Sequence, residues 1–311
     1  MSELRFDGRV AVVTGAGGGL GREYALLLAK RGAKVLVNDL GVSMSGDGTD
    51  SKKAQQVADE INESGGIAIA NSDSVSTTSG ANSIIKQAVD TWGKVDILIN
   101  NAGIVTGGDI ATLSDEDWEF DMSVTAGGSM RMIRAVWKMM LDQNYGRIIN
   151  VSSGSIFGMG ANISYPATKS ALLGMTRGLS VTAEKFLEKN IKVNTIMPYA
   201  WSRLNILLGE EYSEQQRINC PPYSCAPSVA LLCHEEAPCN GEILIMGGGR
   251  VYRCFFGLTE GYQGLKDHTI EDVRDNWDKV MDTTNYTIPA STFEYRDAET
   301  WGAFENMFKE V

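Results

Sequence analysis

Long apolar runs, histidine and a surplus of positive charge are what this sequence lacks, and each absence closes off a class of function. No stretch approaches the roughly eighteen apolar residues that cross a bilayer, so no membrane span is expected. Lys and Arg number 28 against 39 Asp and Glu, a net charge of −11. That balance argues against nucleic acid or an anionic membrane as partner, since both require a positive surface. The two histidines, His234 and His268, stand apart from each other and read as surface or structural residues. All five cysteines lie late, from Cys220 to Cys254, and none forms a Cys-x-x-Cys pair. Free thiols are therefore expected, with neither a disulfide framework nor a metal site. The opening residues lack the apolar core of a secretory leader, and the last three are not a peroxisomal tripeptide. The cytoplasm is the expected location.

What is present is alternation. Short apolar runs recur at Val10–Thr14, Lys34–Asp39, Gly66–Asn71, Val95–Ile99, Arg147–Val151, Ile191–Ile196 and Glu242–Met246, with helical segments between them. Continuous apolar strands separated by helices predict an α/β fold. Its core is a Rossmann-type doubly wound sheet of about seven parallel strands, with helices on both faces. The rhythm stops near residue 250, so 1–250 is read as the catalytic domain and 251–311 as a C-terminal helical extension. In the extension, Ile270, Val273, Trp277 and Val280 fall at helical spacing, which predicts one helix over Thr269–Asp282. Its apolar face must be buried on the same domain or on a dimer partner, closing over the substrate entrance.

Between the first strand and the first helix lies Thr14-Gly15-Ala16-Gly17-Gly18-Gly19-Leu20-Gly21. A strict G-x-G-x-x-G begun at Gly15 fails at Leu20; the spacing that fits is Gly15, Gly19 and Gly21. Glycine there lets the backbone turn tightly and approach a pyrophosphate, which the helix N-terminus then holds. Asp39 ends the second strand, where an acid accepts from ribose hydroxyls and repels a 2′-phosphate. No Arg or Lys follows it before Lys52, so NAD is favoured over NADP. Asp73, after the third strand, is a candidate for the adenine.

Tyr165-Pro166-Ala167-Thr168-Lys169 places a phenol and an ammonium four apart, on one helical face. A positive charge beside a tyrosine favours the phenolate, which neutral pH otherwise denies it. Ser152 and Ser153 end the fifth strand, and Asn100-Asn101-Ala102-Gly103 ends the fourth. Chemistry on a parallel sheet gathers at those carboxyl ends.

Together, Gly15, Gly19, Gly21, Asp39, Asn100–Gly103, Ser153, Tyr165 and Lys169 resemble the short-chain dehydrogenase/reductase family over roughly residues 5–250. Within it, Leu4–Val10, Val37–Gly41, Ser114–Trp118 and Tyr145–Ile149 are similar to (3R)-hydroxyacyl-CoA dehydrogenases, also known as 17β-hydroxysteroid dehydrogenases. The resemblance implies an NAD-dependent oxidoreductase that interconverts a secondary alcohol and a ketone. It makes Tyr165 the proton-transfer group, Lys169 its partner and the holder of the nicotinamide ribose, and Ser153 the clamp on the substrate oxygen. Leu20, Asn101, Ala102, Gly103 and Pro198 are expected at the cofactor. A homodimer or homotetramer is implied, with the methionine-rich helix holding Met130, Met132, Met139 and Met140 either in the core or at a subunit interface.

Three departures stand out against that family. Thr125 occupies the place of an asparagine that helps order a proton-relay water. The serine-to-tyrosine spacing is one residue short, which leaves Ser152 as an alternative to Ser153. Pro198-Tyr199-Ala200-Trp201 lacks the usual Pro-Gly, so that Trp201 either crowds the nicotinamide pocket or walls the substrate site. Leu204–Leu208 falls where the family has its substrate lid, and with Glu210, Glu211 and Glu214 against Arg217 it favours an uncharged lipophilic alcohol, of steroid or terpenoid type. A (3R)-3-hydroxyacyl-CoA is the alternative, served by Arg203, Arg250 and Arg253 if they gather at the crevice. A catalytically silent NAD-binding regulator is the rival from another class; the complete Ser/Tyr/Lys set argues against it.

Overall fold

Strand β1, Val10–Thr14, is buried along its whole length and shows how the two faces of the fold arise. Ala11 and Val13 point into one apolar core, and Val12 points into the other. The same alternation runs through its neighbours β2 (Lys34–Asn38) and β4 (Ile97–Asn100): Val35, Val37, Ile97 and Ile99 on one side, Leu36 and Leu98 on the other. A period of two with apolar residues on both faces requires a helical layer on each side. The first face is covered by α1 (Gly19–Lys30), α2 (Lys52–Glu63) and α8 (Ala226–Cys233). The second is covered by α3 (Thr78–Trp92) and α5 (Ala126–Asp142). The computed structural model describes residues 3–43, 46, 48–202 and 209–292.

The remaining strands are β3 (Ile67–Asn71), β5 (Gly146–Val151), β6 (Ile191–Pro198), β7 (Ile243–Gly247) and β8 (Arg250–Cys254). Their order across the sheet is β3-β2-β1-β4-β5-β6-β7-β8. Pairing is parallel from β3 through to β7. After β3 the chain returns past β1 to start β4 on its other side, so the winding reverses between β1 and β4. A crevice opens at such a switch point, outside the carboxyl ends of the strands. Into it project the turn before α1, the loop before α4 (Asp115–Val124) and the N-terminal end of α6 (Ser164–Val181).

The sheet carries one strand more than the expected seven. Gly248 and Gly249 both have positive φ, 55° and 79°, and these two residues alone join β7 to β8. So short a link allows only an antiparallel hairpin, and glycine supplies the left-handed conformations it needs. Of the methionines of α5, Met132 and Met140 are wholly buried in the core, whereas Met130 is exposed.

The chain separates into two compact units, 1–253 and 254–311. In the second, β9 (Leu258–Thr259) pairs antiparallel with β10 (Tyr286–Thr287), and Phe255 stacks on Tyr286 at 5.7 Å. The single helix expected over Thr269–Asp282 is two, α9 (Ile270–Asp275) and α10 (Trp277–Met281). Asn276 interrupts them, because its side-chain amide donates to the Asp272 carbonyl at 2.8 Å and so takes the acceptor that a continuing helix would offer its backbone. Spacing alone does not register that competition.

Candidate active site

The turn after β1 shows why small residues stand where they do. A Cβ on Gly21 would lie 2.4 Å from the Gly15 carbonyl oxygen and 2.6 Å from Asn101 Nδ2. One on Gly15 would press on the Ala102 backbone at 2.9 Å, at a φ of 62°. Gly18 and Gly19, in contrast, have nothing within 4 Å on that side. Helix α1 therefore starts on glycines that are crowded underneath and open above, and no side chain caps its first amides. An anion of the pyrophosphate type fits such an end.

Asn101 holds this turn in place. Its Nδ2 donates to the carbonyls of Thr14 and Gly15 at 3.0 and 2.9 Å, while Thr14 Oγ1 accepts from the amides of Asn101 and Ala102. Asn100 reaches the other way, donating to Asn150 at 3.0 Å across to β5. Above the turn lies a cavity of about 650 Å³, lined by Gly15, Gly19, Leu20, Asp39, Asp73, Asn101, Ala102 and Gly103 among others. Gly21 packs beneath it, and Pro198, expected at the cofactor, ends β6 outside the lining.

Gly17 was invisible to the spacing argument. Its amide donates to Asp39 Oδ2 at 2.8 Å, and the Gly41 amide donates to Oδ1 at 2.7 Å, so the carboxylate is held rigidly at the cavity wall. Lys53 also lines the cavity, with its ammonium on the Gly41 carbonyl at 3.3 Å. The sequence shows no cation close after Asp39; helix α2 brings one back in space. Asp73 sits beside them, its carboxylate accepting from Asn71 and Ser83. The loop after β2 crosses to α4, where Gly46 packs against the Phe120 ring.

Beyond Gly103 the cavity gives way to the candidate catalytic groups. A Cβ on Gly103 would lie 3.2 Å from Lys169 Nζ and 3.4 Å from Thr125 Oγ1, so the backbone passes close against both side chains. The Lys169 ammonium donates to the Val151 carbonyl at 2.8 Å and sits 5.7 Å from the centre of the Tyr165 ring. Burial brings the lysine down to about 8, because the charged form is deprived of water. Burial also pushes the Tyr165 phenol up, and a hydrogen bond with Ser153 is what opposes it. The lowering by Lys169 that the four-residue spacing predicts is not what acts on the phenol here: desolvation raises it and the Ser153 bond opposes that rise.

The two serines are distinguished. Ser152 is buried and donates to the Lys169 carbonyl at 2.8 Å, a packing role, whereas Ser153 faces Tyr165 and accepts from the Ser155 amide at 3.1 Å. Thr125, where an asparagine is usual, is wholly buried, and its hydroxyl has no partner among the described residues. Asp121, which the sequence reading passed over, is buried on α4 and accepts from Ser164 and from Thr106 Oγ1 at 2.9 Å. It ties the start of the helix that carries Tyr165 to the loop after β4.

Outside this centre, the stretch joining Ser153 to Tyr165 exposes Phe157, Met159 and Ile163. Asn162 binds it to the loop that carries exposed Ile110 through the Gly107 carbonyl at 2.7 Å. His234 is buried and structural, contacting the Arg5 carbonyl at 3.0 Å. Arg253 pairs with Glu242 and Arg250 is exposed, while Arg203 and Leu204–Leu208 lie outside the described residues.

The short chain dehydrogenase family model matches residues 9–203. Peroxisomal multifunctional enzyme type 2 of Mus musculus is 42% identical over 313 residues, 99% of this chain but 41% of the mouse protein. The full-length type 2 enzyme of Drosophila melanogaster superposes with a TM-score of 0.75 at 33% identity, covering 99% of this chain and 50% of that one. The chain thus spans half or less of these larger relatives. A 7α-hydroxysteroid dehydrogenase solved with NADH and 7-oxo glycochenodeoxycholic acid gives 0.69 at 28% identity, covering 80% of this chain and 98% of that one. The expectation of a cytoplasmic location is overturned, because relatives this similar are peroxisomal enzymes. By sequence and fold alike, the chain belongs to the short-chain dehydrogenase family, as an NAD-dependent oxidoreductase acting on CH–OH groups.

Proposed function

We propose that this chain oxidises the 3-hydroxyl of a hydroxyacyl-CoA thioester to the ketone, or runs the reverse reduction. The observation that carries the reading is the exposure of three apolar side chains, Phe157, Met159 and Ile163, in the stretch of chain that joins the two residues that would hold the reacting oxygen. An acyl chain can rest on such side chains with its oxygen at Ser153 and Tyr165. The 42% identity to a peroxisomal multifunctional enzyme supports a thioester over the steroid or terpenoid alcohol that the lid charges favour. The bound dinucleotide supplies the hydride acceptor or donor. The Ser153 hydroxyl holds the substrate oxygen, Tyr165 takes or returns the hydroxyl proton, and the Lys169 ammonium steadies both the negative charge and the nicotinamide ribose.

Side-by-side kcat/KM values for both enantiomers of a 3-hydroxyacyl-CoA and for a panel of hydroxysteroids test this. One 3-hydroxyacyl-CoA enantiomer is expected to lead the best steroid by about a hundredfold or more, worth ~2.7 kcal/mol of transition-state binding. A steroid that equals or exceeds it overturns the substrate reading and leaves the family assignment standing.

At the other end of the cavity, Asp39 is expected to set the cofactor preference. NAD should lead NADP by well over tenfold in kcat/KM. Asp39→Ala should weaken NADH binding about tenfold, the worth of one charge-assisted hydrogen bond. It should also narrow the preference, since Lys53 then faces a 2′-phosphate unopposed. Equal use of both cofactors by the unmodified protein would contradict this.

A further inference from the structure

The chain leaves the sheet at Pro198 and passes the cavity before reaching helix α7 (Glu210–Asn219). Two side chains of that short passage reach forward to the helix. Trp201 Nε1 donates to Ser213 Oγ at 2.9 Å, and the Tyr199 hydroxyl accepts from Gln216 Nε2 at 3.0 Å. Ser213 and Gln216 are three apart, on one face of α7, and both are buried. Backbone bonds brace the passage itself: the Tyr199 amide to the Met246 carbonyl at 2.6 Å, and the Trp201 amide to the Cys220 carbonyl at 2.7 Å. Trp201 also lines the dinucleotide cavity, together with Gly18, Gly19 and Leu20 of the turn. One residue therefore touches both the cofactor's cavity and α7. No small residue in its place could span the two. This position sets Trp201 in the same cavity wall as the glycine turn.

We infer that Trp201 couples the bound dinucleotide to helix α7, walling the cofactor with one part of the residue and fixing the helix with the indole N–H. Coupling of this kind is reciprocal in binding free energy: what holds α7 in place also holds the dinucleotide more tightly. The inference rests on the NAD assignment and is independent of which alcohol is oxidised.

NADH release from the full-length chain, followed by stopped flow, and quenching of tryptophan emission by bound NADH test the coupling. Trp201→Phe keeps an aromatic ring and loses the donor, while Ser213→Ala keeps the indole and loses the acceptor. Each is expected to speed NADH release about fivefold, the scale of one hydrogen bond. The double variant should release no faster than either single one, because both break the same bond. Trp201→Phe should also lose a large share of the quenching, against a background of the other tryptophans, whereas Ser213→Ala should keep it. NADH should raise the melting temperature less in both variants than in the unmodified chain, a readout that a purely structural role would not move. Unchanged release in both variants, additive effects, or quenching preserved in Trp201→Phe each overturn the inference. Failure of the unmodified chain to bind NADH would overturn the cofactor assignment as well.

Discussion

Tyr165→Phe should lower kcat by about 10²–10⁴-fold, the usual worth of a positioned proton-transfer group, with little change in NADH affinity or melting temperature. The ring is half-buried at the start of α6, and phenylalanine fills the same space, so only the hydroxyl and its bond with Ser153 are lost. Burial holds that phenol protonated beyond the ordinary tyrosine range. In reduction the group must give a proton, and a raised value keeps it loaded at neutral pH. In oxidation it must take one, so the oxidative rate should climb with pH while the reductive rate falls only at high pH. Both trends should vanish in whatever activity Tyr165→Phe retains. Ser153→Ala should share much of the loss, and Ser152→Ala much less, since Ser152 is turned to the Lys169 carbonyl. Full activity in Tyr165→Phe, measured by NADH formation, would place the chemistry elsewhere.

The parts that the sequence disclosed are those whose cause is local. Strand alternation, the glycines at 15, 19 and 21, and the Tyr165–Lys169 spacing follow from periodicity and backbone sterics, which act over a few residues. The cavity then brings together Gly19, Asp39, Asn101 and Gly103, as their places at strand ends require. What stayed hidden depends on contacts between distant segments. Lys53 returns to Asp39 only because α2 packs back against the turn, and Asp121 meets Ser164 only because α4 and α6 lie side by side. Ser152 and Ser153 are equivalent in composition, and only the strand's pleat decides which faces Tyr165. Desolvation is what raises the Tyr165 phenol, and burial is what the pattern Tyr-x-x-x-Lys does not state. Asn276 shows the same limit in the second unit, where a single side-chain bond ends a helix that spacing would have continued.

Lys169→Met should give a protein that is more stable at neutral pH and nearly inactive. Its ammonium is buried, donates to the Val151 carbonyl at 2.8 Å, and faces no carboxylate partner among the described residues. Burial takes it from 10.5 to about 8, a difference of roughly 3 kcal/mol at ~1.4 kcal/mol per unit. Because the folded value lies below the unfolded one, that cost is fully present below pH 8. It is relieved as pH rises through the window between 8 and 10.5, where the unfolded chain holds a proton the folded one has released. Methionine fills a similar volume and carries no charge, so it removes the cost and forgoes only the charge-assisted bond to Val151, worth about 2 kcal/mol. Near pH 7 the variant should gain roughly 1 kcal/mol, a rise of a few degrees in melting temperature. Its advantage should shrink steadily between pH 8 and 10.5, and comparing the two proteins at each pH cancels every other titrating group. Activity should fall on the order of 10²–10³-fold, the scale of losing one electrostatic contact to the reacting groups. A site that costs stability where it performs chemistry is expected of a charge kept for function. Melting curves of both proteins across that pH range decide the matter: a methionine variant less stable at pH 7, with a parallel pH profile, would show that the buried ammonium supports the fold and does not burden it.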